Sequence, residues 1–239
     1  LLLAGRLGDL LGQRRVFLAG LAIFTSASLL CGLAGSQEML VGARFVQGIG
    51  GALTSAVILG MIVTMFPEPR EQAKAIGVYG FVASAGGSIG LLAGGVLTDL
   101  ISWHWIFFIN IPLGIIIIIG LLLTISDNVE QRSTERIDVV GALISVIASA
   151  SLVFGLIEGR TYGWWQSKPD APFTVGDWKW PFDLSIVPIS FVITVIAVIV
   201  FITRAKRRER LGKPSLLSLA LFGIPSFRNG NIAALIVSL

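Results

Sequence analysis

Arg44, Gln47, Gly51 and Ser55 recur at helical spacing within an apolar stretch and would share one polar, small-residue face. Such a face suits a bundle interior or a watered cavity rather than lipid, and an arginine on it could serve proton coupling or contact a substrate. A plainer account stands beside this one. Arg44 lies roughly 8 Å along its helix from Met39, near enough to snorkel to the outer headgroups or to pair with Glu38.

A second group, Gly5, Leu7, Asp9, Gly12 and Arg14, falls in the polar segment 5–15. Its glycines fit a tight turn joining two helices, and its fixed charges would stand at helix ends. Taken alone, the segment could also be a simple basic anchor. The third group is Gly77, Gly86, Gly90, Gly94 and Gly95. Gly86, Gly90 and Gly94 repeat every four residues, which makes a groove that another helix backbone can approach closely. Packing alone would account for it.

Other chemistry is poorly provided for. Cys31 is the sole cysteine and lies in an apolar run, where it reads as a small buried hydrophobe. His104 is the sole histidine, and no second metal ligand lies near it in sequence. Nucleophile–base clusters, paired catalytic acids, phosphate-cradling loops and metal-ligand spacings are lacking, so neither an enzyme nor a cofactor is expected.

These groups resemble signatures of the major facilitator superfamily. Segment 5–15 is similar to the loop between that family's second and third helices, with Gly5, Leu7, Asp9, Gly12 and Arg14 on the pattern. The resemblance implies that Asp9 faces a helix end in the other half of the transporter. The run 40–48 looks like the fourth-helix motif, which implies a part in proton coupling for Arg44, with Gln47 and Gly48 following. Gly77, Gly86, Gly90, Gly94 and Gly95 resemble the fifth-helix antiporter signature, although Leu91 stands where the family usually has proline. Trp103-His104-Trp105-Ile106-Phe107-Phe108-Ile109-Asn110-Ile111-Pro112 looks like the corresponding run of the fourteen-helix drug:proton antiporters of the EmrB and QacA type.

The elements that must position these groups follow from composition. Of 239 residues, 54% are hydrophobic and 13% charged, and the mean hydropathy is +0.86. A water-soluble fold is excluded on those grounds. Runs long enough to cross a bilayer as helices occur at 16–34, 39–66, 75–97, 105–126, 139–157 and 184–202. The expected fold is an all-α polytopic membrane protein, part of a major facilitator superfamily bundle. Residues 1–126 would belong to the N-terminal six-helix half, from the end of its second helix through its sixth. Residues 127–203 would be two inserted central helices with a Trp-rich outer loop. Residues 204–239 would be an interfacial connection and the start of the C-terminal half, and both ends of the sequence read as cut helices.

Alternating the loops places Arg6, Arg14, Arg15, Arg70, Lys74, Arg132, Arg136, Arg204, Lys206, Arg207, Arg208, Arg210, Lys213 and Arg228 on one side. The other side receives only Arg160, Lys168 and Lys179. The basic side, including segment 5–15, is therefore expected in the cytoplasm of a cell membrane protein. Topology and anionic lipid explain the net charge of +4, and nucleic acid is not expected as a partner. Glu38, Asp99, Asp138 and Glu158 all fall near span boundaries, so a proton-carrying acid would lie in the remainder of the transporter. The resulting expectation is secondary active efflux of small amphipathic or cationic molecules by proton antiport. The alternatives are a facilitator of another metabolite or coupling mode and a non-transporting scaffold. The expected partners are a small-molecule substrate, protons, the lipid bilayer and the rest of the same protein.

Overall fold

In lipid a backbone must satisfy its own polar groups, and long apolar runs do so as helices. The computed structural model describes residues 2–124, 138–175, 178–213 and 215–238. Among them are six helices long and apolar enough to cross a membrane: Gln13–Gly32, Gln37–Met65, Pro69–Leu100, Trp105–Thr124, Val139–Tyr162 and Ile186–Arg210. They match the six runs expected from the sequence. The end of the 105–126 run, the loop basic residues Arg132 and Arg136, and the 126/127 boundary lie outside the described residues. The chain divides into two units, Leu1–Glu135 and Arg136–Leu239.

In the first unit, α1 (Leu2–Leu11) covers most of the segment read as a polar turn, which corrects that reading. Leu3, Leu7 and Leu10 recur at helical spacing and give it an apolar stripe. Leu7 packs against a core of Val16, Val57, Met61 and Leu121. The turn is confined to Gly12, whose φ of 96° is a conformation glycine adopts at little steric cost. There α1 ends and α2 (Gln13–Gly32) begins.

Ser36 starts α3 (Gln37–Met65) by accepting a hydrogen bond from Met39 N at 3.2 Å. α2 and α3 cross at Gly20 and Gly50, where a Cβ on Gly50 would stand 2.7 Å from Gly20 O and a Cβ on Gly20 2.7 Å from Leu53 Cβ. Only hydrogen fits at this crossing. α4 (Pro69–Leu100) starts with proline in its first turn, where a missing N–H costs nothing, and contains no buried residue.

The fourth run, 105–126, is broken into α5 (Trp105–Phe108) and α6 (Asn110–Thr124). Pro112 has no N–H to give to Phe108 O, and its ring crowds that carbonyl, so the interruption falls at Ile109. Gly114 of α6 lies against the Thr25 side chain of α2.

In the second unit, α7 (Val139–Tyr162) and α8 (Ile186–Arg210) form a packed pair. Ser151 and Thr194 hydroxyls meet at 3.0 Å, and a Cβ on Gly155 would lie 2.6 Å from Ser190 Oγ. The Trp-rich connection is more ordered than an aromatic coil. It carries a short antiparallel pair, β1 (Thr174–Val175) and β2 (Trp178–Lys179), within an all-α polytopic membrane fold. Phe154, Tyr162 and Phe173 form one aromatic cluster, and Trp178, Trp180 and Phe182 form another. Trp180 Nε1 donates to Leu184 O at 2.7 Å. After α8 come a 3-10 turn at Leu219–Gly223 and α9 (Pro225–Ser238). Pro225 opens α9, so Arg228 and Asn229 are helical.

Candidate functional site

Arg44 sits in the second turn of α3, and its Nη1 donates to Gln47 Oε1 at 2.8 Å. Gln47 Nε2 donates to Ser28 Oγ of α2 at 2.7 Å, and that hydroxyl donates to Phe24 O at 2.8 Å. Cys31 Sγ reaches Gln47 Oε1 at 4.0 Å. Gln47 is 4% exposed, and Ser28 and Cys31 are fully buried. A primary amide suits the middle of this chain because it accepts on one atom and donates from the other.

The guanidinium also lies over the Phe107 ring of α5, 5.7 Å from its centroid. Arg44 is thus held between an amide and an aromatic face while remaining exposed itself. Lying close to the start of α3, it presents a fixed positive charge that an anion or a carboxylate can meet. Gly51 and Ser55, on the same face of α3, line a cavity of about 300 Å³ together with Phe17, Leu21, Phe24, Thr54, Ile58 and Tyr79. This face is therefore divided between a polar chain that ends on Arg44 and a mostly apolar recess.

The first motif separates into individual roles. Asp9 lies 3.7 Å from Arg6, one turn back on α1. Arg14 Nη2 donates to Leu122 O in the last turn of α6 at 3.5 Å, which brings a cation to a helix C-terminus. Gly5 has open space around it, Leu7 packs in the core and Gly12 makes the turn. Gln13 lies over Gly60, where a Cβ would come within 2.7 Å of Nε2.

The glycine motif of α4 is uncovered. A Cβ at Gly77, Gly86, Gly90 or Gly95 would meet nothing within 4 Å, and at Gly94 only Ile106 Cδ1 at 3.9 Å. Gly48 is likewise open. Close helix approach is instead carried by Gly20 and Gly50, which motif spacing passes over.

Ser28, Cys31 and Phe107 are absent from the sequence-derived set. The small polar residues Thr25, Ser28 and Cys31 at three-residue spacing in α2 were the available signal, since they mark a stripe able to receive Gln47. Asp138 also gains partners that sequence reading did not assign. It caps α7, accepting from Gly141 N at 3.1 Å, and binds Arg204 at 2.9 Å and Arg208 at 3.3 Å, both from the last turns of α8. Burial pushes its pKa up, but the Arg204 hydrogen bond, the Gly141 amide and the two positive charges outweigh burial and hold the carboxyl below the usual aspartate value. His104 Nδ1 lies 2.6 Å from Ser102 Oγ, and its ring stacks on Trp103.

A family model described as Major Facilitator Superfamily matches residues 1–237. The multidrug resistance protein Stp of Mycobacterium tuberculosis is 38% identical over 67% of this chain and 30% of its own length. A probable actinorhodin transporter of Streptomyces coelicolor is 34% identical over 99% of this chain and 38% of its own. The puromycin resistance protein pur8 of Streptomyces alboniger is 38% identical over 69% of this chain and 32% of its own. The chain thus spans roughly a third of the length of these curated relatives. A match over nearly every residue, six membrane-length apolar helices and transporter relatives identify a multi-pass membrane protein of a transport family, not an enzyme. The chain belongs to the major facilitator superfamily.

Proposed function

We propose that this chain forms part of a secondary active exporter of small amphipathic or cationic molecules, driven by proton antiport. The observation that carries the reading is the chain Arg44–Gln47–Ser28, which fixes one cation at the end of a buried polar path. A transporter that exchanges protons for a cationic substrate needs a charge that does not itself titrate, against which a carboxylate can gain and lose its proton. Arg44 supplies such a charge, and the carboxylate belongs to the rest of the transporter. The relatives named for multidrug and puromycin resistance and for actinorhodin transport favour a small-molecule cargo.

In this reading the basic loops lie in the cytoplasm, α7 and α8 are the two central inserted helices, and the α4 glycines receive a helix from the remainder of the protein. Leu91 in place of the family's proline supports a second reading, a facilitator with a different cargo or coupling, because α4 lacks a forced kink there.

The test is efflux of a fluorescent cationic dye, driven by a proton gradient, from vesicles containing the full-length protein. Arg44→Ala should lower the rate by about tenfold or more, the size of one lost charge-assisted contact. Gly90→Leu should lower it with insertion intact. Efflux indifferent to the gradient would favour the second reading, and full activity in both variants would remove Arg44 and the α4 glycines from the mechanism.

A further inference from the structure

The side of α8 that meets α7 is a continuous buried strip of Val187, Ser190, Thr194, Ala197 and Ala205. Arg204 and Arg208 extend it, and both are held by Asp138. By the helical repeat, the opposite side carries Val192, Val195, Ile196 and Ile199, each more than half exposed. Further along the same side stand Lys206, Arg207 and Arg210, all exposed. Asp138 therefore sorts the cations of this helix end into two sets, one held against its carboxylate in the α7–α8 pair and one facing outward. Glu209 is the sole carboxylate on residues 204–213 and offsets at most one charge, so the outward set stays net positive.

We propose that this face of α8 binds an anionic phospholipid. The acyl chain lies along Val192, Val195, Ile196 and Ile199, and the phosphate is held by Lys206, Arg207 and Arg210. The vertical order of the face matches that of a lipid, apolar within the span and cationic at its end. A free anion would engage the cations alone, whereas a phospholipid engages the cations and the apolar strip together. The inference is independent of what the protein transports.

The experiment is native mass spectrometry of the full-length protein in mild detergent, with phosphatidylglycerol or phosphatidylcholine added. The wild type should retain phosphatidylglycerol in preference, and a large excess of glycerol 3-phosphate should leave it bound. The triple variant K206Q/R207Q/R210Q should lose phosphatidylglycerol retention by about tenfold or more, with phosphatidylcholine unchanged. K206R/R207K/R210K should behave as the wild type. Arg210→Gln alone leaves the other basic residues to anchor the helix end and should lower retention by about threefold even where the triple variant inserts poorly. Undiminished phosphatidylglycerol retention in the neutral variants would overturn the site and assign the face to contact with other protein. Displacement by glycerol 3-phosphate would overturn the lipid and assign the cations to a soluble anion.

Discussion

Gln47 decides how Arg44 behaves. The amide gives the guanidinium an acceptor at 2.8 Å and anchors itself on Ser28 at 2.7 Å, so Arg44 has a bonded alternative to snorkelling. Gln47→Ala removes both bonds and leaves the buried Ser28 hydroxyl without its donor. It should cost about 1–3 kcal/mol of stability, read by thermal unfolding in detergent, and should lower efflux in proportion to the loss of Arg44 order. Ser28→Ala should cost less, since the amide retains Arg44. Arg44, Gln47 and Ser55 were legible because polar residues at helical spacing stand out in an apolar run. Ser28 was not, because a hydroxyl in such a helix can return its proton to its own backbone, and only the placement of α2 beside α3 shows that it also accepts.

For the helices, close packing and motif spacing are different properties. Gly50→Val should separate α2 from α3 and cost about 3 kcal/mol or more by overpacking, whereas Gly90→Leu, with nothing of this chain within 4 Å, should cost less. Thermal shift measurements on both variants check this. Glycine spacing exposed the α4 groove but could not distinguish a used glycine from an open one, since that depends on which helix lies opposite. Helix existence was legible from apolar length. Helix ends were less so: α1, α4, α7 and α8 extend past the expected limits, because charged and polar residues continue a helix beyond its apolar stretch.

The α7–α8 pair has its own pH limit. Asp138 has a lowered pKa in the folded state, so its ion pairs stabilise the folded state fully above the unfolded carboxylate value, about 3.9. That stabilisation is lost as pH falls through the lower folded value. The pair should therefore resist unfolding from neutral pH down to the ordinary aspartate range and loosen only below it. Asp138→Asn keeps an acceptor for Gly141 N but gives up the charge and with it both ion pairs. It should destabilise by about 1–3 kcal/mol and flatten this acid transition, measured by helix content against pH.

On the scale of the whole chain, the proposed topology assigns the Gly12 turn, the α7 start and the α8 end to the cytoplasm. With Cys31→Ser as background, Asp170→Cys should react with a membrane-impermeant maleimide on intact cells. Lys213→Cys should react only after permeabilisation. The reverse pattern would overturn the cytoplasmic assignment of the basic loops. The membrane class and the helix order could be read from composition and run length. The Asp138 ion pairs could not, because they depend on contacts between residues far apart in sequence.

α4 has no buried residue and an open row of glycines, which has a consequence for the timing of biogenesis. At roughly 5–20 residues per second, a ribosome completes α4 several seconds before it reaches Leu239. Throughout that interval the helix has only lipid along most of its surface and must persist on internal backbone bonds alone. Its bare glycine row can then be claimed by whichever neighbour diffuses to it first, so partner choice at α4 becomes a matter of the order of synthesis as well as of fit.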